Sequence, residues 1–157
     1  MPRVRIVGCG NPDAGDDAAG LVAVDRVRSL VPSDVDVVTA PTALHVLDLL
    51  DGAGTVVLVD AMRTTDGARD PGAVVRAESG ADGLPATLRS SLSSHGLGLA
   101  EVVGLAAALG PVPRVVFLGV EVGDVRAGRG LSPAVDAALP AFVEAIVLEA
   151  GDGTGTG

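Results

Sequence analysis

Three carboxylates, Asp13, Asp16 and Asp17, stand in "GCGNPDAGDDAAG", directly behind the short apolar run "RVRIV". Another, Asp60, ends the run "TVVLV", and His95 lies between "SS" and Gly96, just ahead of an apolar helical stretch. The Gly8-x-Gly10 step after a strand is the usual opening of a phosphate-binding turn. The third glycine of a dinucleotide fingerprint would fall at Asp13, which meets a pyrophosphate with like charge, and the end of the second strand, "VVTAP", offers no acid for a ribose. A loop so charged suits a cation, not a phosphate.

Acids in the first turn of a helix have a simpler use, since they complement its dipole by a few tenths to about 1 kcal/mol. That accounts for one member of the adjacent pair Asp16–Asp17 and leaves the other to face the crevice at the carboxyl ends of the strands, where open α/β sheets bind ligands. Successive helical residues point about 100° apart; Asp17 is assigned to the crevice and Asp16 to the loop or cap. Asp60, as a strand-end residue, belongs to the same edge. Of the two histidines, His45 sits inside a helical pattern as an ordinary half-buried residue. His95 precedes a helix that starts near the carboxyl edge of the sheet, so it is expected to meet Asp17 and Asp60. One imidazole and two carboxylates make a three-ligand site for a borderline divalent ion such as nickel or zinc, with coordination positions left open. No serine lies in a G-x-S-x-G elbow, which removes α/β-hydrolase chemistry. Cys9, between two glycines and close to carboxylates, is disfavoured as a thiolate and reads as a small buried filler.

These residues need a scaffold. "VRIV" predicts a buried strand ended by Gly8 and Gly10; Leu21, Val24, Val27 and Leu30 recur at helical spacing over 16–30; "DVDVV" alternates as a half-buried strand. Thr42 is placed to cap a helix covering Leu44, Leu47 and Leu50. "TVVLVDA" is the continuous β-branched run of a central parallel strand, and "GAVVRAE" a more polar strand near an edge. "DGLPATLRSSLSSHG" has no periodicity and is expected to be a surface loop. "LGLAEVVGLAAALG" is a helix closed by Gly110, "RVVFLGVEV" a buried strand, and "LSPAVDAALPAFVEAIVLEA" a long helix with Pro140 as a kink. Strands alternating with helices predict a single three-layer α/β/α domain over 1–150, with a mostly parallel, twisted sheet of about five strands. The tail "GDGTGTG", 151–157, is expected to be disordered.

The composition narrows the partners. The chain has 157 residues, 48% of them hydrophobic and 1% aromatic, so the core is aliphatic and there are no platforms for stacking bases. A net charge of −9 opposes nucleic acid and anionic membranes. A single cysteine permits no internal disulfide, and no run reaches the roughly 20 apolar residues of a membrane span. A cytoplasmic protein, with no nucleic acid and no membrane as partner, is expected.

"GCGNPDAGDDAAG" resembles the G-x-G-N-x-x-x-x-D-[DE]-x-x-G opening of the nickel–iron hydrogenase maturation endopeptidases. "VVLVDA" is similar to their central strand with its metal-contacting aspartate, "SSHGLGLAEVVGLAAALG" to their H-x-x-x-L-x-x-x-L segment, and "GLSPAV" to the start of their last helix. The resemblance reaches to about Leu148 and implies an endopeptidase that removes the C-terminal peptide of a hydrogenase large-subunit precursor once nickel is inserted. It implies that Asp17, Asp60 and His95 are the metal-contacting and catalytic positions, with Gly8, Gly10, Asn11 and Asp16 as the supporting loop. It also implies nickel supplied by the substrate, with zinc or cadmium able to stand in, and a monomer. The metal could polarise the scissile carbonyl, activate water or only dock the substrate, so the enzyme would be of aspartyl or metal-dependent type. Two features depart from the family. The second acid, often Glu there, is here the shorter Asp17, and of the turn after the second strand only Thr42 is kept. A non-proteolytic metal-sensing chaperone or docking factor of the same fold is the alternative reading.

Overall fold

Runs of β-branched residues, each halted by polar or glycine-rich turns, form the middle of the sheet. The computed structural model describes residues 3–10, 15–63, 69–79, 84, 89–90, 98–122 and 130–155. In it β1 (Val4–Cys9), β3 (Thr55–Arg63) and β6 (Arg114–Glu121) lie side by side and parallel. β3 is buried without a break from Thr55 to Met62, which is why its sequence is continuously apolar instead of alternating. β2 (Asp36–Ala40) extends the parallel set beyond β1, and β4 (Val74–Glu78) closes the other edge antiparallel to β6. The order is β2-β1-β3-β6-β4, with the two-residue β5 (Arg89–Ser90) antiparallel to the end of β3.

Helices cover both faces. On one, α1 (Ala19–Val27) and α4 (Pro133–Gly155) bring Val24, Phe142 and Ile146 onto Ile6, Val57, Val59 and Leu118. On the other, α2 (Ala43–Leu49) and α3 (Leu99–Leu109) bring Val46, Leu99 and Val103 onto Val7, Leu58 and Phe117. The three-layer α/β architecture expected from the sequence is the one observed, and so is the placing of "GAVVRAE" at an edge.

Several local expectations are corrected. α1 begins only at Ala19, after a 3-10 turn at Gly15–Ala18, and ends at Val27, so Leu30 is exposed. Thr42 caps α2 as expected, its Oγ1 accepting from the His45 backbone N–H. Of the expected Leu44, Leu47 and Leu50, Leu50 is buried and Leu47 packs half-buried against the core, while Ala43 and Val46 take the other buried places and Leu44 and His45 turn to solvent. The stretch expected as a surface loop contributes β5 and the buried Leu84; a two-residue pairing is too short to carry any period. α4 runs through Pro140 to Gly155, so 151–155 continue the helix instead of forming a disordered tail. Extending an existing helix avoids the cost of nucleating one.

An ion network fastens α4 to the edge strand. The register puts Arg76 opposite Leu118 and Glu78 opposite Val116, on the face that α4 covers. From there Arg76 Nε donates to Glu149 Oε1 at 2.6 Å, Arg114 Nε donates to Glu78 Oε1 at 2.5 Å, and Arg76 Nη2 reaches Glu78 Oε2 at 3.1 Å. Glu149 is 7% exposed, so it cannot turn to water if its partners are lost. The Arg114 and Arg76 guanidinium groups hold the Glu78 carboxyl below the usual carboxylate range.

Replacing Glu149 with Ala is expected to lower stability by about 1–3 kcal/mol, the value of charge-assisted hydrogen bonds partly open to solvent, measured by urea unfolding. Because the folded Glu78 pKa is depressed, its contribution is present above the unfolded carboxylate pKa and fades as pH falls through the folded value. The acid limb of the stability profile should therefore be less steep in Glu78→Gln than in the wild type.

Candidate functional site

β1 and β3 part company at the carboxyl edge. Their pairing stops at Gly8 opposite Val59, and the last residue of β1, Cys9, pairs with Ala40 of β2. β3 runs on beside β6 as far as Met62 opposite Glu121. The chain leaves β1 toward β2 on one side and returns to β3 on the other, so the sheet has its topological switch point here, the place where such folds bind ligands. Asp60 is the first residue of β3 past the end of that pairing and is 0% exposed. Alternation along the strand puts it on the face of Leu58 and Met62, which is also the face of Cys9 and Phe117.

Asp17 comes from the other side of the crevice. It is half-buried in the 3-10 turn that follows β1, and that turn packs against β3. The N-cap of α1 is Ala18, without a side-chain cap, so of the two roles expected for Asp16, loop or cap, the cap of α1 is not one it fills. Two glycines bring the turn in. Gly10 has a positive φ of 149°, and a Cβ on it would overlap the Asp17 carbonyl oxygen. A Cβ on Gly20 would lie 2.5 Å from the Cys9 oxygen, 2.6 Å from the Val59 oxygen and 2.9 Å from Asp60 Cα. Backbone touches backbone, and Asp17 is held at the end of the strand that carries Asp60.

His95, Asn11 and the side chain of Asp16 lie outside the described residues. Both described flanks of His95 belong to this edge. Ser90 pairs with Met62, two residues beyond Asp60. α3 descends to Gly110 shortly before β6 opens at Arg114 beside Thr55, so its first residue, Leu99, is at the carboxyl end of the strands. Among the described residues no three His, Cys, Asp or Glu side chains stand together as a metal site.

Cys9 is buried and its Sγ lies 3.8 Å from the Val7 oxygen. Burial pushes its thiol well up, and the charge of Asp60 pushes it further. Its role as a filler is the one expected, and the upward push shows that the Asp60 field reaches across to β1. Two residues were not anticipated. Gly20 was quoted in the motif with no role; a glycine one residue inside a helix that follows a strand and a tight turn is the signal for close helix–strand packing. Glu121, 4% exposed, ends β6 on the same sheet face as Asp60; an acid closing a continuous apolar run, as Asp60 closes its own, is the signal there. Among the described residues, the side chains singled out at this edge are carboxylates from separate elements, one fully buried, and an ionised carboxylate accepts hydrogen bonds without donating any.

Comparison with known proteins gives the chain a family and a fold. Residues 26–149 match the family model HycI, hydrogenase maturation protease; the match contains Asp60 and His95 and begins after Asp17. The chain is 26% identical over 149 residues to the hydrogenase 2 maturation protease of Escherichia coli (strain K12), covering 92% of this chain and 88% of that protein. In fold it is similar to the hydrogenase maturating endopeptidase HybD from E. coli, with TM-score 0.80 and 22% identity over 97% of this chain and 94% of that one. It is also similar to the [NiFe] hydrogenase maturation protease HybD from Thermococcus kodakarensis, with TM-score 0.68 and 24% identity over 94% and 99%.

A raised, buried thiol should be inert. Cys9 is expected to react with a thiol-specific disulfide reagent at pH 8 only after addition of denaturant, and Cys9→Ala should keep full activity with a small loss of stability. Rapid labelling of the native protein would contradict the assignment.

Proposed function

We propose that this chain, which belongs to the hydrogenase maturation protease family, is an endopeptidase that removes the C-terminal peptide of a hydrogenase large-subunit precursor loaded with nickel. The observation that carries the proposal is the meeting of the Asp17 turn with the Asp60 strand end at the switch point of the sheet. Nickel belongs to the substrate in this reading. Asp17 and Asp60 supply carboxylate oxygens and His95 an imidazole nitrogen, a donor set suited to a borderline divalent ion, and the ion brings the peptide beside it to the crevice.

The carboxylates then have a second use. Hydrolysis takes a proton from the attacking water and delivers one to the leaving amine, and a carboxylate in the crevice is an acceptor for the first and, once protonated, a donor for the second. Burial of Asp60 keeps bulk water from competing for the ion and strengthens each electrostatic contact. The net charge of −9 favours approach of a cation-bearing surface. No described helix is long and apolar enough to cross a membrane, which is compatible with a cytoplasmic reaction.

The test is incubation with nickel-loaded precursor, followed by mass spectrometry of its C-terminus. Wild type should shorten the precursor. Asp17→Asn, Asp60→Asn and His95→Ala should each lower kcat by roughly a hundredfold or more while keeping the far-ultraviolet circular dichroism of the wild type. Asn is chosen at position 60 because the site there is buried, not on the surface, and Ala would leave a cavity. A wild-type protein that binds the nickel-loaded precursor and never shortens it would replace the proposal with the docking-factor reading.

A further inference from the structure

We infer that Gly20 is a positioning residue: its missing side chain lets α1 settle onto the ends of β1 and β3, so that the short Asp17 carboxylate reaches the Asp60 crevice. The inference rests on the site assignment of Asp17 and Asp60 for its catalytic consequence, but its structural core stands apart from that assignment. A Cβ at Gly20 would be 2.5 Å from the Cys9 oxygen, 2.6 Å from the Val59 oxygen and 2.9 Å from Asp60 Cα. All of these are backbone atoms of central strands, with Val59 paired to β1 and β6, Cys9 to β2 and Asp60 to β6, so they cannot yield as a flexible side chain does. The helix must move instead. Restoring ordinary van der Waals separation needs a displacement of about 1 Å.

Asp17 takes up that displacement because of where it lies. It precedes Gly20 by less than one helical turn, in the 3-10 segment continuous with α1. On its other side its carbonyl oxygen occupies the place of the Gly10 side chain. The turn is thus clamped between β1 and the first turn of α1, with no slack for a shift of α1 to vanish before it reaches Asp17. A second glycine on the strand side keeps the same helix close: a Cβ on Gly8 would meet Val24 Cγ2 at 2.8 Å and Val24 Cβ at 2.9 Å. Along α1, Gly20 fixes the end that carries the carboxylate and Gly8 the next turn. A carboxylate longer by one methylene would tolerate a helix standing further off, whereas an aspartate does not.

The experiment uses the full chain with two readouts. Crystal structures of wild type and Gly20→Ala should show the Asp17 Cα to Asp60 Cα separation growing by about 1 Å; an unchanged separation overturns the inference whatever the protein does catalytically. In the precursor-processing assay Gly20→Ala should lower kcat by roughly tenfold to a hundredfold, the cost of a displacement of that size, and adding Asp17→Glu should restore at least half of the loss on a logarithmic scale. A purely structural role for Gly20 predicts no rescue by Asp17→Glu, so a folded double variant as slow as Gly20→Ala also overturns it. If Gly20→Ala does not fold, Gly8→Ala, which presses on a side chain of the same helix, carries the same expectations of displacement and rescue. Loss of activity in Asp17→Asn alongside wild-type activity in Gly20→Ala would sink this inference and leave the site assignment standing.

Discussion

Neighbouring parallel strands of unequal reach set up everything else in this molecule. β3 is hydrogen-bonded to β1 only up to Val59 and to β6 up to Met62, so one flank of its last residues loses its partner strand while the other keeps it. That asymmetry opens a crevice beside Asp60 without exposing the strand as a free edge, because β5 takes up pairing again at Met62 and Arg63. A β3 of the same length as β1, six residues, would end at Asp60, with the carboxylate on the last residue of the strand instead of inside it. Strand length is itself a consequence of sequence: glycines at 8 and 10 stop the first run, while the second stays apolar through Met62 apart from Asp60.

The scaffold and the site place opposite demands on charge. Close packing of α1 on the strand ends suits small neutral residues, and α1 opens with Ala19 and Gly20. The acids are displaced into the 3-10 turn just before it, where they still lie at the positive end of the helix dipole. At the other end of the sheet's long axis the reverse holds. Glu149 and Glu78 are satisfied by Arg76 and Arg114, so α4 and the edge strand β4 are secured by paired charges well away from the switch point.

Much of this was legible in the sequence, for identifiable reasons. The runs "TVVLV" and "RVVFLGV" are β-branched and continuous, which only a doubly covered parallel strand explains, and they fixed the centre of the sheet. Thr42 was readable as a cap because capping is local chemistry. What failed depends on tertiary context. β5 is two residues long and exists because β3 offers an unpaired flank, so "DGLPATLRSS" carries no sign of it. His45 looked half-buried because it stands among apolar residues, yet rotation of α2 is set by what Ala43 and Val46 pack against. The helix at 151–155 reflects propagation from the packed part of α4, which glycine-rich composition hides. At the site, the residue types of Asp17 and Asp60 are what drew attention to them, while the burial of Asp60 and the close seating of Gly20 on the strand ends appear only when backbone meets backbone.

Cys9 reports on the field in that crevice. Its thiol is pushed up first by burial and then by the charge of Asp60, which stands one residue past the end of the β1–β3 pairing. A field that opposes a thiolate at Cys9 attracts a cation with the opposite sign, and doubly so for a divalent one. The attraction must exceed the cost of stripping water from both partners. It does so best when a second carboxylate is already in place, since each acid added raises the gain without desolvating the ion again. In the proposed reading the site works only if Asp17 stands near Asp60 before the ligand arrives. The contacts that leave no room for a side chain at position 20 supply that constraint: the backbone of α1 is seated on Cys9, Val59 and Asp60, so packing of the first helix keeps the Asp17 turn at the end of the strand that carries Asp60.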